Sequence, residues 1–198
     1  SLTMMTLTDE IRHYLERLFP VTRSITGPGN RETLSILQEI APLDVLEYPS
    51  GCTVFDWTIP DEWQVREAWI KDSAGRTLVD FHHCNLHLVS YSVAVSGRFG
   101  IDELRSHLHS HEDLPDAVPY RTTYYSPDWV FCVTRAQMGA LEAADGPLEV
   151  LVDSEFDPDG SLTVGELLIP GESGEEILVS TYICHPSLAN DNLSGTVM

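Results

Sequence analysis

The chain has 198 residues, 42% of them hydrophobic, with 31 acidic side chains against 11 basic ones and a formal net charge of −20. Disorder combines low hydrophobicity with high net charge, whereas here 4 Trp, 6 Phe and 7 Tyr supply enough apolar surface for a packed core. The charge argues against nucleic acid and anionic membranes as partners, because both are held through Lys and Arg, and Lys71 is the single lysine. The charge is also uneven: the 63 residues after Arg135 carry 12 acidic side chains and no Lys or Arg.

The first helix is expected around Ile11, Tyr14, Leu15, Leu18 and Phe19, capped by Thr8 or Asp9 and ended by Pro20. A turn at Thr22–Gly29 leads to a second helix, capped by Asn30, with Leu34, Leu37, Ile40 and Ala41 on one face. Leu43 to Tyr48 reads as a strand. From Gly51 the texture changes to short β-like runs, Thr53–Ile59, Val65–Lys71, Thr77–Phe81 and Leu86–Val95, punctuated by Pro, Gly and Asp. A helix over Ile101–His111, an extended stretch Asp116–Tyr125, a strand Trp129–Thr134 and a short helix Ala136–Ala144 follow. Leu148–Val152 returns to buried strand. Ser161–Ile169 and Ile177–Cys184 read as a hairpin whose second strand is the more buried.

No run approaches the roughly 20 apolar residues of a membrane span, and no signal peptide is visible, so a cytoplasmic protein is expected. Cys52, Cys84, Cys132 and Cys184 are widely spaced with no CxxC, which suits reduced, buried thiols. Asn192–Met198 stops where an apolar helix begins, which reads as a fragment of a longer protein.

The apolar run 177–184 delivers His185, and Asp191 follows in a loop. Polar residues at the end of a strand lie where α/β sheets place their sites. Imidazole and carboxylate are ligand types that zinc accepts. On spacing alone a structural reading stands beside it, with His185 hydrogen-bonded at a strand end and Asp191 or Asn190 capping the next helix.

The stretch Ser180-Thr-Tyr-Ile-Cys-His-Pro-Ser-Leu-Ala-Asn-Asp-Asn-Leu-Ser-Gly195 resembles the first metal-ligand region of M28-type zinc aminopeptidases. It is most similar to a bacterial aminopeptidase-like subfamily of unknown function often linked to polysaccharide biosynthesis. Arg23–Gly27, Val54–Pro60, Asn85–His87, Asp116–Tyr120 and Gly160–Gly171 resemble that subfamily too. The resemblance implies an α/β aminopeptidase-like mixed-sheet core, residues 1–50 and 148–198, truncated, with residues 51–147 as an inserted small antiparallel β domain. It implies two zinc ions in the full-length protein, with His185 a terminal ligand of one and Asp191 bridging both. Such a pair lowers the pKa of a shared water and polarises the scissile carbonyl. It also implies a cis peptide after Asp191. Ser187 stands where M28 enzymes usually have a ligand-steadying Asp. The general base and the remaining ligands are expected beyond Met198, so the catalytic residues are unknown and the fragment is expected to be inert and to bind zinc weakly or not at all.

Other candidates are weaker. His107 and His111 fall one turn apart on the expected helix and could chelate, but a third ligand is missing. His83 and His87 would share a strand face opposite His82. A Cys184–His185 nucleophile pair is disfavoured because strand neighbours point to opposite faces. Trp57, Trp63, Trp69 and Trp129 read as core or interface rather than a sugar platform. The function expected is hydrolysis of a peptide or small amide substrate. The rivals are an amidohydrolase of amino sugars and a non-catalytic scaffold, with an open core edge that would encourage oligomers.

Overall fold

The computed structural model describes residues 6–123 and 126–198. In chain order the helices are α1 (Leu7–Leu18), α2 (Pro28–Leu37), α3 (Ile101–Leu104), α4 (Arg135–Glu142) and α5 (Ser194–Val197). The strands are β1 (Asp44–Pro49), β2 (Thr53–Val54), β3 (Trp57–Thr58), β4 (Glu62–Lys71) and β5 (Thr77–Asp80), then β6 (Val95–Phe99), β7 (Leu108–His109), β8 (Phe131–Cys132), β9 (Leu148–Asp157) and β10 (Ser161–Glu166). This is a mixed α/β chain with small sheets, and it divides into two compact units, Ser1–Glu62 with Asp157–Met198, and Trp63–Phe156. The divisions fall at 62/63 and 156/157.

In the first unit, α1 is opened by a capping box in which Thr6, not Thr8 or Asp9, caps, and the Asp9 side chain returns the bond. Helix α2 starts at Pro28 behind Gly27, whose φ of 114° suits only glycine. Asn30 lies inside α2, and its amide donates back to the Ser24 carbonyl at 2.8 Å, tying the turn to the helix rather than capping it. Gly29 is obligatory for a second reason: a Cβ there would meet the Thr22 carbonyl oxygen at 1.8 Å. Leu18, Leu34, Leu37 and Leu193 form the buried core, with Leu15, Ile36, Leu43, Ile183 and Val197 packed against it. Strand β1 pairs antiparallel with β10. Thr53–Ile59 is not one strand: β2 and β3 fold onto each other about Phe55, whose φ is 55°.

The hairpin expected between 161–169 and 177–184 does not form. β10 spends its pairing on β1, and 177–184 has no strand assignment. Ile177, Leu178 and Val179 are 94%, 89% and 89% exposed, so the stretch read as the more buried strand is the most exposed apolar segment of the first unit.

The second unit is built on a four-stranded sheet of order β5-β4-β9-β6. Period-two alternation puts Leu148, Val150 and Val152 of β9 inside, as the apolar pattern requires. Two expected elements are replaced. Leu86–Val95 contains one turn of 3-10 helix at Asn85–His87 and a single bridge from Leu88 to Phe131, and Tyr91, at φ 67°, breaks any strand. Ser92 repairs the interruption: its carbonyl accepts from Trp63 Nε1 and from the Ser154 hydroxyl. The helix expected over Ile101–His111 ends at Leu104, passes through a 3-10 turn at Arg105–His107, and becomes β7 because Leu108 and His109 pair in parallel with the buried Phe131 and Cys132. Tertiary pairing overrides helical spacing here. Asp116–Thr123 has no regular structure, and Tyr124 and Tyr125, the end of that expected extended stretch, lie outside the described residues. No helix among the described residues is long and apolar enough to cross a membrane.

Candidate active site

The loop from Cys184 to Leu193 is pinned from below by the first unit's core. Leu193 is 2% exposed in the leucine cluster, and Ser187, at φ 44°, donates its hydroxyl to the Phe19 carbonyl at 2.9 Å. Ser187 therefore ties the loop to the end of α1. Arg23, 1% exposed, donates Nε to the His185 carbonyl at 3.0 Å and a terminal nitrogen to the Leu18 carbonyl at 2.6 Å. Its other terminal nitrogen, Nη2, is buried with no hydrogen-bond partner among the described residues. Burial without a carboxylate partner brings its pKa down to about 10, so the guanidinium is still charged at neutral pH.

These anchors place His185 and Asp191 together, with Nε2 of one 3.9 Å from Oδ2 of the other. Tyr182 touches both. Its hydroxyl donates to Asp191 Oδ1 at 2.6 Å, and its ring meets the His185 ring edge-on with centroids 4.9 Å apart. The bond to Asp191 raises the Tyr182 pKa, so the phenol remains a donor. Asn192 donates back to Thr181 Oγ1 at 2.7 Å, and the Asp191–Asn192 peptide is cis, as the resemblance implies. The His185 side chain is 18% exposed and that of Asp191 62%, so the pair presents an open carboxylate beside a shielded imidazole.

Two ligands at about 2.05 Å from one tetrahedral zinc ion stand about 3.3 Å apart, so His185 Nε2 and Asp191 Oδ2, 3.9 Å apart, would have to draw closer to hold one cation. The donor types fit; the distance and the number do not. Among the described residues no three His, Cys, Asp or Glu side chains converge, so this chain's residues do not by themselves make a zinc site. Cys184 lies closer to His185 than strand alternation allows, Sγ to Nδ1 3.7 Å, because the segment is not a strand. Burial pushes the thiol pKa up, which leaves it protonated and a poor nucleophile.

The remaining candidates resolve into structural roles. His107 is not on a helix face with His111: its ring stacks on Trp129 at 3.8 Å and its Nδ1 meets the Trp129 carbonyl at 2.8 Å. His111 Nδ1 accepts from the backbone of Asp113 and Leu114. His87, 2% exposed, bonds the Cys132 carbonyl and Gln137, and burial lowers its pKa. Trp63 and Trp129 are buried, whereas Trp69 lies beneath Lys71, so the tryptophans of the second unit form no platform. All four cysteines are free, but Cys52 is exposed, contrary to the expectation of buried thiols. Arg23 and Tyr182 were not singled out by sequence reasoning. Their only signal was a charged residue and a phenol inside the two stretches, Arg23–Gly27 and Ser180–Gly195, that carry the resemblance.

A Clostridium acetobutylicum protein described as a "putative polysaccharide biosynthesis protein with aminopeptidase-like domain" is 46% identical over 189 residues, 96% of this chain and 43% of that one. The crystal structure of a "putative peptidase" from the same organism matches with a TM-score of 0.90 and 46% identity, over 95% of this chain and 44% of that one. The chain thus spans less than half the length of these relatives. The model of the family described as "Domain of unknown function (DUF4910)" matches residues 12–198, and the chain belongs to that family.

Proposed function

We propose that this chain is part of an M28-type dizinc aminopeptidase-like hydrolase of amide bonds, in which His185 and Asp191 are two of the metal ligands. The observation that carries the reading is the 3.9 Å approach of His185 Nε2 to Asp191 Oδ2, in a chain whose relatives are named for peptidase-like activity. Tyr182 fixes the Asp191 carboxylate, and Arg23 holds the backbone that carries the imidazole. The missing ligands and the general base are contributions this chain does not itself make. A second reading is deacylation of an amino sugar by the same pair, favoured by the polysaccharide wording of the relative's name.

Expression of the protein at the length of its relatives, assayed on aminoacyl anilides and on N-acetyl sugars with and without chelator, tests both. Chelator-sensitive release of the aminoacyl group, lowered at least about a hundredfold by His185→Ala and by Asp191→Ala, is expected. Chelator-sensitive acetate release alone would transfer the assignment to the second reading. Inertness on both classes, with no change in zinc content on substituting either ligand, would overturn the hydrolase assignment.

A further inference from the structure

Inside the second unit, the hydrogen bonds around His87 leave its ring hydrogen a single place. The residue sits in the 3-10 turn Asn85–His87 and is 2% exposed. Its Nδ1 lies 2.7 Å from the Cys132 carbonyl of β8, and a carbonyl only accepts, so Nδ1 carries the hydrogen. Nε2 lies 3.2 Å from Gln137 Nε2. Two further bonds fix which end of the Gln137 amide faces it. The Thr134 backbone N–H, which only donates, reaches Gln137 Oε1 at 2.9 Å, and the Leu78 carbonyl of β5, which only accepts, lies 3.4 Å from Gln137 Nε2. The amide nitrogen therefore donates to His87 Nε2, which has to be a bare lone pair. The Oε1 bond is also half of the capping box that opens α4, whose other half runs from the Gln137 backbone N–H to Thr134 Oγ1 at 3.1 Å.

We propose that His87, Gln137 and Thr134 form a proton-operated latch that fastens the first turn of α4 to β5 and β8, closed while Nε2 is bare and released when Nε2 takes a proton. A proton there sets an N–H against the hydrogens of the Gln137 amide. Turning the amide over would present Oε1 to the imidazolium, but it would also set the amide hydrogens against the Thr134 N–H and open the cap. Either way a bond that holds α4 is lost. The surroundings do not cancel the new charge. The first turn of α4 contains no acidic side chain, Arg135 is exposed, and the Cys132 thiol, pushed up to about 12 by burial, stays protonated. Asp80 on β5 favours the charged ring, but its carboxylate already accepts the His82 amide at 2.9 Å, and the exposed His83 opposes it. Burial outweighs these, so His87 stands below its ordinary value of 6.5 while the latch is closed. Release restores the ordinary value, so the open form binds more protons. The latch is thus complete above pH 6.5 and weakens as pH falls toward the value of the closed form. Every group belongs to residues 78–137, so the latch stands or falls independently of the peptidase reading.

Ring-nitrogen NMR of the histidines, read together with amide exchange on the same protein, tests this. At neutral pH His87 is expected in the tautomer with its hydrogen on Nδ1. Its protonation is expected to lower the protection factors of amides 138–143 at least about tenfold between about pH 7.5 and about pH 5. Gln137→Glu supplies a carboxylate that accepts from the Thr134 N–H and from a protonated Nε2 at once, so it is expected to raise the His87 midpoint and keep α4 protected over the same range. His87→Asn retains a donor for the Cys132 carbonyl and does not titrate, so α4 protection is expected to become independent of pH in that range. A His87 that carries its hydrogen on Nε2, stays neutral down to about pH 5, or protonates with no loss of α4 protection would overturn the proposal. So would a His87 midpoint in Gln137→Glu equal to that of the parent protein.

Discussion

Arg23 carries an unusual electrostatic load for one side chain. A buried guanidinium normally sits opposite a carboxylate, because an uncompensated interior charge costs several kcal/mol. Here the compensation comes from two carbonyls, those of Leu18 and His185, which join the end of α1 to the site loop. Removing the side chain leaves both acceptors buried and loosens the loop. Arg23→Ala is therefore expected to cost about 2–4 kcal/mol in urea unfolding and to speed amide exchange across residues 185–191. Arg23→Lys should recover only part of this, since an ammonium cannot present the same fork to both carbonyls. A neutral effect of Arg23→Ala on both measurements would remove it from any positioning role. His185 and Asp191 were legible in the sequence because both lie in one continuous motif. Arg23 was not, because its partner is 162 positions away and nothing in the chain before folding marks that contact.

At the scale of elements, a charge network joins α2, β1 and β10 to the start of β4. Arg31 makes two bonds to Glu62 at 2.7 and 2.6 Å and one to Glu47 at 3.0 Å. Glu62 also accepts the Ser161 amide at 3.0 Å, and Glu47 accepts the Thr163 hydroxyl at 2.9 Å. The Arg31 bonds hold the Glu62 carboxyl below its usual value of 4.5 against the opposing effect of burial. For Glu47 burial is the largest influence and opposes ionisation, yet the bonds from Ser161, Arg31 and Thr163 outweigh it and the net direction is again downward. Lowered folded-state pKa values mean that the unfolded chain binds more protons. The contribution is thus complete above the unfolded-state value and is lost as pH falls through the folded-state one. Stability measured by urea unfolding should be flat near neutrality and drop below about pH 4.5. Glu62→Gln should cost about 1–2 kcal/mol at pH 7 and converge on the parent protein at low pH. A constant gap across that range would show that the charge is irrelevant.

The same network shows why local reading succeeded for some elements and not others. Helices α1, α2 and α4 announce themselves through apolar spacing and local punctuation. The 101–111 and 86–95 segments carry the right residues for a helix and a strand, yet pairing with Phe131 and Cys132 and the bonds to Ser92 decide their conformation from a distance. The absence of Lys and Arg after Arg135 does not leave all the acidic side chains there without a cation. Arg66 on β4 pairs with Asp153 and Glu155 on β9, a contact that sheet order creates and sequence distance conceals.

Over the whole molecule two opposing surface properties meet. Leu168, Ile169, Ile177, Leu178 and Val179 are each at least 77% exposed in one stretch of chain, which favours association by burying apolar area. The net charge of −20 favours separation, and Glu166, Glu172, Glu175 and Glu176 flank or interrupt that stretch. Charge repulsion is long-ranged only at low salt: the screening length is about 30 Å at 0.01 M and about 3 Å at 1 M, whereas apolar contact does not weaken with added salt. Salt should therefore move the balance in one direction, from separate chains at about 0.01 M toward larger species at about 1 M. Sedimentation velocity across that range reads the change, and the double substitution Ile169→Asp, Leu178→Asp should hold the protein monomeric at every salt concentration. A parent chain that stays monomeric at high salt would mean that the exposed leucines and isoleucines do not govern its behaviour in solution, and an equal response in the double variant would place the contact elsewhere on the surface.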